Sequence, residues 1–363
     1  MMPDYPARLA RLRRLMNEAG CEALCLFSAA SLRYFSAYSG EAAYGLITPA
    51  QAHLVTDYRF IEQAEQECSG WHCYSRQRDR ESLGQVIARL LKQEAISTGA
   101  FEAGDVSVAL WQQIAADTAA VRWQAAPDWS GQLRRRKDAF ETACIRQAAG
   151  IADRALASIM SLMTIGVSEA ELALELDYRL RQYGAEALSF DTILGFGARS
   201  ALPHCIPSAR RLQQGDLVVL DFGAVINGYR SDMTRSFVCG EPDARQQLMY
   251  RAVEEAQQAA MDILRSGISA SFADSVAKDL LSRYGFGDYA GSSLGHGVGL
   301  CLHEQPIMGP DCHDTLEAGY VITIEPGVYL PGYGGVRIED DVLITEQGFE
   351  LLTHAPKNFV LDC

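Results

Sequence analysis

Short apolar runs alternate with segments of helical periodicity in the first third of the chain. Runs of four or five apolar residues bounded by turn formers are typical of sheet strands, whereas apolar residues three or four positions apart indicate helices. This part of the chain therefore predicts an α/β domain. The predicted helices cover residues 6–19, 82–94 and 107–118, and the predicted strands cover residues 23–27, 44–48 and 53–56.

A stretch at residues 124–132 has turn-forming residues and little periodicity, so we place a domain boundary there. The two predicted domains cover residues 1–128 and 129–363. Early in the second domain, Ser168 and Glu171 have the spacing of a capping box that opens a helix. Strand-like runs return further along, so the second domain is expected to mix helices and strands as well. The predicted fold class is α/β (α+β).

The composition is that of an ordinary globular protein, with 48% hydrophobic and 21% charged residues. The formal net charge of −14 argues against nucleic-acid binding, which normally needs a basic face. The one dense basic run, residues 134–137, would fit an anion-binding patch, but we favour a solvated linker or helix start. No apolar stretch is long enough to span a membrane.

The first residues carry charges throughout and lack the apolar segment of a secretion signal. The ten cysteines are scattered without a C-x-x-C pair. Without a secretion signal, reduced thiols are expected rather than a disulfide framework. We therefore expect a cytoplasmic protein that binds neither nucleic acid nor a membrane.

A predicted hairpin carries two aspartates. Leu217–Leu220 is an apolar strand, and Asn227-Gly228 is the strongest two-residue signal for a hairpin turn. With that turn, Asp232 faces Gly223, and Asp221 projects from the same face one diagonal step away, with open space at the glycine. Two carboxylates this close repel each other unless a cation lies between them. The alternative is that both face water, although the strand is very apolar for that.

Three further segments each present one side chain of the ligand type. His296 lies between glycines, which allow close backbone approach, and Glu325 ends an apolar strand. Glu339 shares a face with Arg337, so an ion pair between them is an alternative explanation. Two aspartates, one histidine and two glutamates suit Mn²⁺, Co²⁺, Fe²⁺ or Zn²⁺ and could hold two divalent ions.

The order Asp221, Asp232, His296, Glu325 and Glu339 resembles that of the pita-bread metallopeptidases, which include aminopeptidase P, prolidase and methionine aminopeptidase. The matching stretches are Val218–Gly223, Ser231–Arg235, Gly295–Gly299, Thr323–Gly327 and Gly335–Asp340. Similarity to the Xaa-Pro branch extends to Ser189–Ile193, Ser200–His204, Leu32–Ser36 and Thr56–Arg59. Methionine aminopeptidases generally lack the first domain. The resemblance therefore implies an Xaa-Pro peptidase with a creatinase-like N-terminal domain and a pita-bread catalytic domain.

The resemblance also implies roles for the matched residues. The five residues just named would hold two divalent metal ions, expected to be Mn²⁺ with Co²⁺, Zn²⁺ or Fe²⁺ as alternatives, and a hydroxide bridging the metals would attack the carbonyl before proline. Glu325 would also transfer the proton. His204 and His303 would steady the substrate carbonyl and the tetrahedral intermediate, and Arg337 would orient a ligand carboxylate. The expected partner is a peptide with proline at its second position. The fold that the resemblance implies often forms homodimers, although the sequence indicates no interface.

Three positions depart from the family pattern around the expected substrate pocket. Cys205 stands where glycine is usual, and Phe196 is expected to bulk one wall of the pocket. Ile307 stands where prolidases of this size often have an arginine that could hold a substrate carboxylate. Ile307 therefore favours an Xaa-Pro aminopeptidase acting on longer peptides over an Xaa-Pro dipeptidase. A metal-free creatinase-like hydrolase and a non-catalytic binding module are further alternatives, but such relatives lose the ligands that this chain keeps.

Overall fold

The computed structural model describes residues 3–362, and the chain divides into two compact units between Arg134 and Arg135. The stretch in which we placed the boundary is itself structured. A strand covers Arg122–Ala125 and a helix covers Trp129–Arg135, so the first unit continues beyond residue 128. Both units mix helices and strands, which confirms the predicted fold class.

The first unit consists of short helices and strands that follow one another closely. Its helices are α1 (Tyr5–Glu18), α2 (Ala29–Ser36), α3 (Ile61–Glu67), α4 (Leu83–Gln93), α5 (Val108–Asp117) and α6 (Trp129–Arg135). Its strands are β1 (Ala23–Leu26), β2 (Tyr44–Ile47), β3 (Ala52–Thr56), β4 (His72–Ser75), β5 (Thr98–Phe101) and β6 (Arg122–Ala125). These strands form a mixed sheet in the order β4-β3-β2-β1-β5-β6. Leu46 from the sheet and Val86 and Leu91 from α4 are buried together in its core.

The second unit contains longer helices and several sheets. Its α-helices are α7 (Ala139–Ile159), α8 (Glu169–Gln182), α9 (Ala244–Asp262) and α10 (Ala270–Arg283), with 3-10 turns at Met160–Leu162, Gly197–Ala201 and Gly287–Tyr289. The capping box of Ser168 and Glu171 opens α8 as predicted. Its strands are β7 (Ala187–Leu188), β8 (Ile193–Phe196), β9 (Leu217–Phe222), β10 (Ala224–Ile226), β11 (Tyr229–Arg230), β12 (Met233–Cys239), β13 (Gly295–Gly297), β14 (Glu304–Met308), β15 (Val321–Ile324), β16 (Gly327–Leu330), β17 (Gly334–Arg337), β18 (Asp340–Ile344), β19 (Phe349–Leu351) and β20 (Val360–Leu361).

Two of these sheets carry most of the site described below. One has the strand order β20-β12-β9-β8, and the other has the order β14-β13-β15-β18-β19. Helices α9 and α10 cover an apolar core in which Val253, Ala273 and Ile322 are almost completely buried. Burial of this surface against the sheets holds the strand ends in place. No helix within residues 3–362 is long and apolar enough to cross a membrane.

The predicted hairpin has the predicted register. Ile226 pairs with Tyr229 across the turn, and the same register continues to Asp221, which pairs with Thr234. The expectation of open space at Gly223 is wrong, because a Cβ there would collide with the backbone carbonyl of Ser231. Glycine is therefore required by the close approach of the two strands.

The basic run at residues 134–137 is not a solvated linker. Arg134 and Lys137 are both buried, at 9% and 6% exposure. Arg135 donates from Nη1 to Asp314 at 3.0 Å. The solvated linker is therefore wrong for Arg134 and Lys137, although Arg136 is exposed. The helix start, the other half of the favoured interpretation, agrees with the structure, because the run directly precedes Asp138, the N-cap of α7.

Candidate active site

Five side chains predicted as metal ligands line one cavity of about 830 Å³ in the second unit. Each stands in a strand or next to the end of one, where the backbone is held by neighbouring strands. Asp221 lies in β9, Asp232 between β11 and β12, His296 in β13, Glu325 directly after β15, and Glu339 between β17 and β18. The chain therefore brings together side chains that are up to 118 positions apart, from Asp221 to Glu339.

The imidazole of His296 lies among the carboxylates. Its Nε2 is 3.6 Å from Asp232 Oδ2 and 3.3 Å from Glu325 Oε1. One ligand atom from each of Asp232, His296 and Glu339 lies within 4.8 Å of the others. Nδ1 of His296 is 3.0 Å from the Gly297 carbonyl, which can only accept a hydrogen bond, so Nδ1 carries a proton. In the neutral imidazole Nε2, which faces the carboxylates, is then unprotonated. This tautomer is the one that a metal-binding histidine requires.

The negative charges of the carboxylates in this cluster have too few hydrogen-bond donors and cations around them. Asp221 and Asp232 are 7% and 4% exposed, and the Oδ1 atom of each is buried without a hydrogen-bond partner. Burial, followed by the negative charges of neighbouring carboxylates, raises the pKa of Asp232 and of Glu339 well above their ordinary values. A buried group of acids with orphaned oxygens fits divalent cations, which would stabilise its charges.

Glu325 and His296 stabilise each other's charged forms. Burial opposes ionisation of Glu325, but the hydrogen bond and charge of His296 outweigh it and lower the pKa of this carboxyl. Burial likewise lowers the pKa of His296, and its contact with Glu325 outweighs that effect and raises the pKa. Without bound metal, Glu325 is thus ionised more readily than Asp232 or Glu339.

Arg337 is held by four partners at the cavity wall. Its Nη2 donates to Asp221 Oδ2 at 2.5 Å and its Nε donates to the Thr234 hydroxyl at 2.9 Å. Its Nη1 donates to the Pro203 carbonyl and to the Tyr329 hydroxyl. Asp221 is therefore its ion-pair partner. The ion pair between Arg337 and Glu339 that the sequence suggested as an alternative is therefore not the one that forms.

Three polar residues that the sequence analysis overlooked complete the cluster. The Thr234 hydroxyl donates to Glu339 Oε2 at 2.6 Å, and the Thr323 hydroxyl donates to Glu325 Oε1 at 2.9 Å. Asp341 Oδ2 accepts the backbone amide of Asp232 at 2.9 Å. Spacing could have identified all three, because each stands two positions from a predicted ligand, and alternate residues of a strand share a face.

The two predicted non-ligand histidines also line the cavity. His204 and His303 are exposed there, and the rings of His303 and His296 meet edge to face with centroids 4.3 Å apart. Burial and the neighbouring His296 lower the pKa of His303. A neutral imidazole at the cavity surface can donate one hydrogen bond to a substrate oxygen.

Of the three expected pocket residues, two line the cavity. Cys205 is 2% exposed, and burial raises the pKa of its thiol. Ile307 pairs with His296 across β13 and β14 and is 39% exposed. The expectation for Phe196 is wrong, because its side chain is fully buried away from the cavity lining. Ile193, which pairs with Asp221, occupies the cavity face of β8, and Phe196, three positions later, points to the opposite face.

Two known protein families match this chain. Residues 143–346 match the model of metallopeptidase family M24, and residues 8–135 match that of the creatinase/prolidase N-terminal domain. An uncharacterised peptidase of Bacillus subtilis, YqhT, is 35% identical over 98% of this chain and 99% of its own length.

Solved structures with similar folds cover nearly the whole chain. An Xaa-Pro dipeptidase from Bacillus anthracis superimposes with a TM-score of 0.95 at 35% identity, covering 98% of this chain and 99% of its own. An X-Pro aminopeptidase from Thermotoga maritima superimposes with a TM-score of 0.88 at 35% identity, covering 96% and 99%. With its cavity of acidic and histidine side chains, this chain belongs to metallopeptidase family M24 and carries the creatinase/prolidase N-terminal domain ahead of the catalytic one.

Proposed function

We propose that this protein is a metal-dependent Xaa-Pro aminopeptidase, which releases the first residue of peptides whose second residue is proline. The observation that carries the proposal is the convergence of five ligand-type side chains and two exposed histidines on one cavity. The solved relatives named as acting on Xaa-Pro substrates support the choice of substrate.

Two divalent ions would be held by Asp221, Asp232, His296, Glu325 and Glu339. Mn²⁺ is the proposed metal, with Co²⁺, Zn²⁺ and Fe²⁺ as alternatives, because oxygen ligands dominate and one imidazole is present. Bound metals would polarise the scissile carbonyl and supply an activated water. The complete set argues against a metal-free hydrolase or a non-catalytic module on this fold.

The remaining chemistry falls to side chains of this chain. Glu325, whose Oε1 is held by the Thr323 hydroxyl, accepts the proton of the attacking water and passes it to the proline nitrogen. His204 and His303 donate hydrogen bonds to the substrate carbonyl and to the charge that develops on it. Arg337, at the cavity wall, fixes the orientation of Asp221 through their ion pair.

The cavity offers no unpaired lysine or arginine side chain to a free carboxylate close to the reacting bond. Among its lining residues, all of them in the described part of the chain, Arg337 is the single lysine or arginine, and Asp221 already pairs with it. Burying an unpaired carboxylate is costly, so a dipeptide, whose proline carries that group, is disfavoured. This favours longer peptides, whereas the name of the Bacillus anthracis relative favours the alternative, an Xaa-Pro dipeptidase.

A peptide length series tests the proposal. Purified protein loaded with Mn²⁺ is given an Xaa-Pro dipeptide and its extensions by one and three residues, and release of the first residue is measured. We expect the highest kcat/KM with the extended peptides and loss of activity in Glu325→Gln. Higher kcat/KM with the dipeptide would establish the alternative, and activity that resists both chelation and Glu325→Gln would contradict a metal-dependent peptidase.

A further inference from the structure

A buried ion pair lies next to the cavity without lining it. Lys137 Nζ is 3.0 Å from Glu304 Oε2, and the two side chains are 1% and 4% exposed. Lys137 belongs to the basic run singled out in the sequence, and its amide donates to the Gly319 carbonyl at 2.8 Å. It directly precedes Asp138, the N-cap of α7. The backbone of Lys137 is therefore held in place by this hydrogen bond and by the start of α7.

Glu304 links this lysine to the segment between His296 and His303. Its Oε1 accepts the amide of Cys301 at 3.1 Å, and His303 is its immediate neighbour. Gly299 packs against the pair, because a Cβ at that position would lie 2.7 Å from Glu304 Oε2 and 3.1 Å from Lys137 Cε. The ion pair thus fills the inside of the turn that presents His303.

The other side of this turn is held by the aspartate hairpin. The amide of Arg230 donates to the Gly299 carbonyl at 2.9 Å, and its Nε donates to the Leu300 carbonyl at 3.4 Å. Arg230 stands two positions before Asp232. The turn at residues 298–303 is therefore clamped between the hairpin on one side and Lys137 with Glu304 on the other.

We propose that Lys137 is a positioning residue of the peptidase reaction, which acts through Glu304 to hold His303 against His296 at the cavity. Two charges buried in this way contribute little to stability compared with apolar side chains of similar volume. Their geometric effect is specific, because the position of a group that contacts substrate is critical to the rate. This inference rests on the proposed peptidase activity of the same site.

The test separates position from stability. The double variant Lys137→Met/Glu304→Leu replaces both charges with apolar groups, and Glu304→Gln keeps an oxygen that can accept the Cys301 amide. Arg210→Met, which removes an ion pair with Asp216 in the same unit, is the control. For each protein loaded with Mn²⁺ we would measure the Tm, kcat and KM on an Xaa-Pro peptide, and hydrogen exchange of the amides at residues 298–304.

We expect the double variant to keep a Tm close to that of the unaltered protein while kcat falls about tenfold, KM changes less than about threefold, and exchange in the turn accelerates. Glu304→Gln leaves the buried Lys137 without its ion-pair partner, so it should lower the Tm as well as kcat. Arg210→Met should leave kcat and exchange unchanged. A double variant with normal kcat and normal exchange would overturn the proposal, as would a fall in kcat without faster exchange. If the unaltered protein cleaves no Xaa-Pro peptide, the proposed function fails, and exchange in the turn alone decides whether the pair positions it.

Discussion

Arg337 and Asp221 form an ion pair with a separation of 2.5 Å, and their side chains are 4% and 10% exposed. The pair occupies Oδ2 of the aspartate, whereas Oδ1 is buried without a hydrogen-bond partner. A carboxylate held by one oxygen has fixed orientation and keeps the other oxygen for a metal ion. We therefore expect Arg337 to support metal binding without being a ligand itself.

Arg337→Met should weaken metal binding. The substitution removes the partner of Asp221 and the hydrogen bonds to Thr234 and Tyr329, so the aspartate loses its fixed orientation. Removing such an outer partner typically lowers metal affinity by about ten- to a hundredfold. Titration calorimetry with Mn²⁺ measures the change directly.

The matched control for this experiment is Arg146→Met. Arg146 pairs with Glu350 at 2.7 Å, but both side chains are about half exposed, so this pair contributes little. The Mn²⁺ affinity of the Arg146→Met variant should equal that of the unaltered protein. Equal affinities for Arg337→Met and the control would show that the Asp221 contact does not support metal binding.

Asp232→Asn should separate metal binding from the stability of the metal-free fold. Asp232 is a buried acid whose charge is opposed by burial and by Glu339, so its neutral analogue should leave the metal-free Tm unchanged or higher. Metal at a hundred times its Kd stabilises the folded protein by about 2.7 kcal/mol. Most of that stabilisation should be absent in Asp232→Asn. Asp279→Asn on the exposed face of α10 is the control. A full metal-induced Tm increase in Asp232→Asn would remove this residue from the ligand set.

The stabilisation by metal should grow as the pH rises. In the metal-free folded state the pKa values of Asp232 and Glu339 are raised, whereas in the unfolded chain such groups release their protons near about pH 4. Their contribution to stability is therefore present below about pH 4 and is lost as pH rises through the raised values. Divalent cations replace the protons there. Tm measured from about pH 5 to about pH 8 with and without Mn²⁺ should show a widening difference, and a constant difference would contradict this coupling.

The local signals in the sequence were sufficient for the aspartate hairpin. Asn227-Gly228 specifies a tight turn, and the register that follows from it places Asp221 opposite Thr234. Because side chains alternate along a strand, the common face of Asp221 and Asp232 follows from chain geometry alone. His296, Glu325 and Glu339 were recognised as ligand-type side chains in their own segments, but their strands meet only through long-range pairing. The family resemblance supplied their joint roles in a site for two metal ions.

Burial of individual side chains could not be predicted in the same way. Lys137 appeared solvated because its neighbours are basic, but its partner Glu304 lies 167 positions away. Phe196 was expected at the pocket because it departs from the family pattern there, but its side chain is buried in the core. Both errors concern tertiary contacts that no local pattern encodes.

Ile307→Arg should shift the preference of the enzyme from longer peptides toward dipeptides. Ile307 lines the cavity, is 39% exposed and pairs with His296, so an arginine there can extend a guanidinium into the cavity from a partly solvated position. That group would pair with the free carboxylate of an Xaa-Pro dipeptide, a charge-assisted contact worth about 1.5–3 kcal/mol, or roughly a tenfold or greater gain in kcat/KM.

The ratio of kcat/KM between an Xaa-Pro dipeptide and its extended form is the quantity to measure for Ile307→Arg. Ile307→Gln, which is polar but uncharged, is the matched control, because it changes the shape and polarity of the position without supplying a cation. We expect the ratio to rise about tenfold with arginine and to stay nearly constant with glutamine. An equal rise in both variants would mean that the size or polarity of residue 307 sets the length preference, and no rise in either would mean that the dipeptide carboxylate lies beyond the reach of this strand.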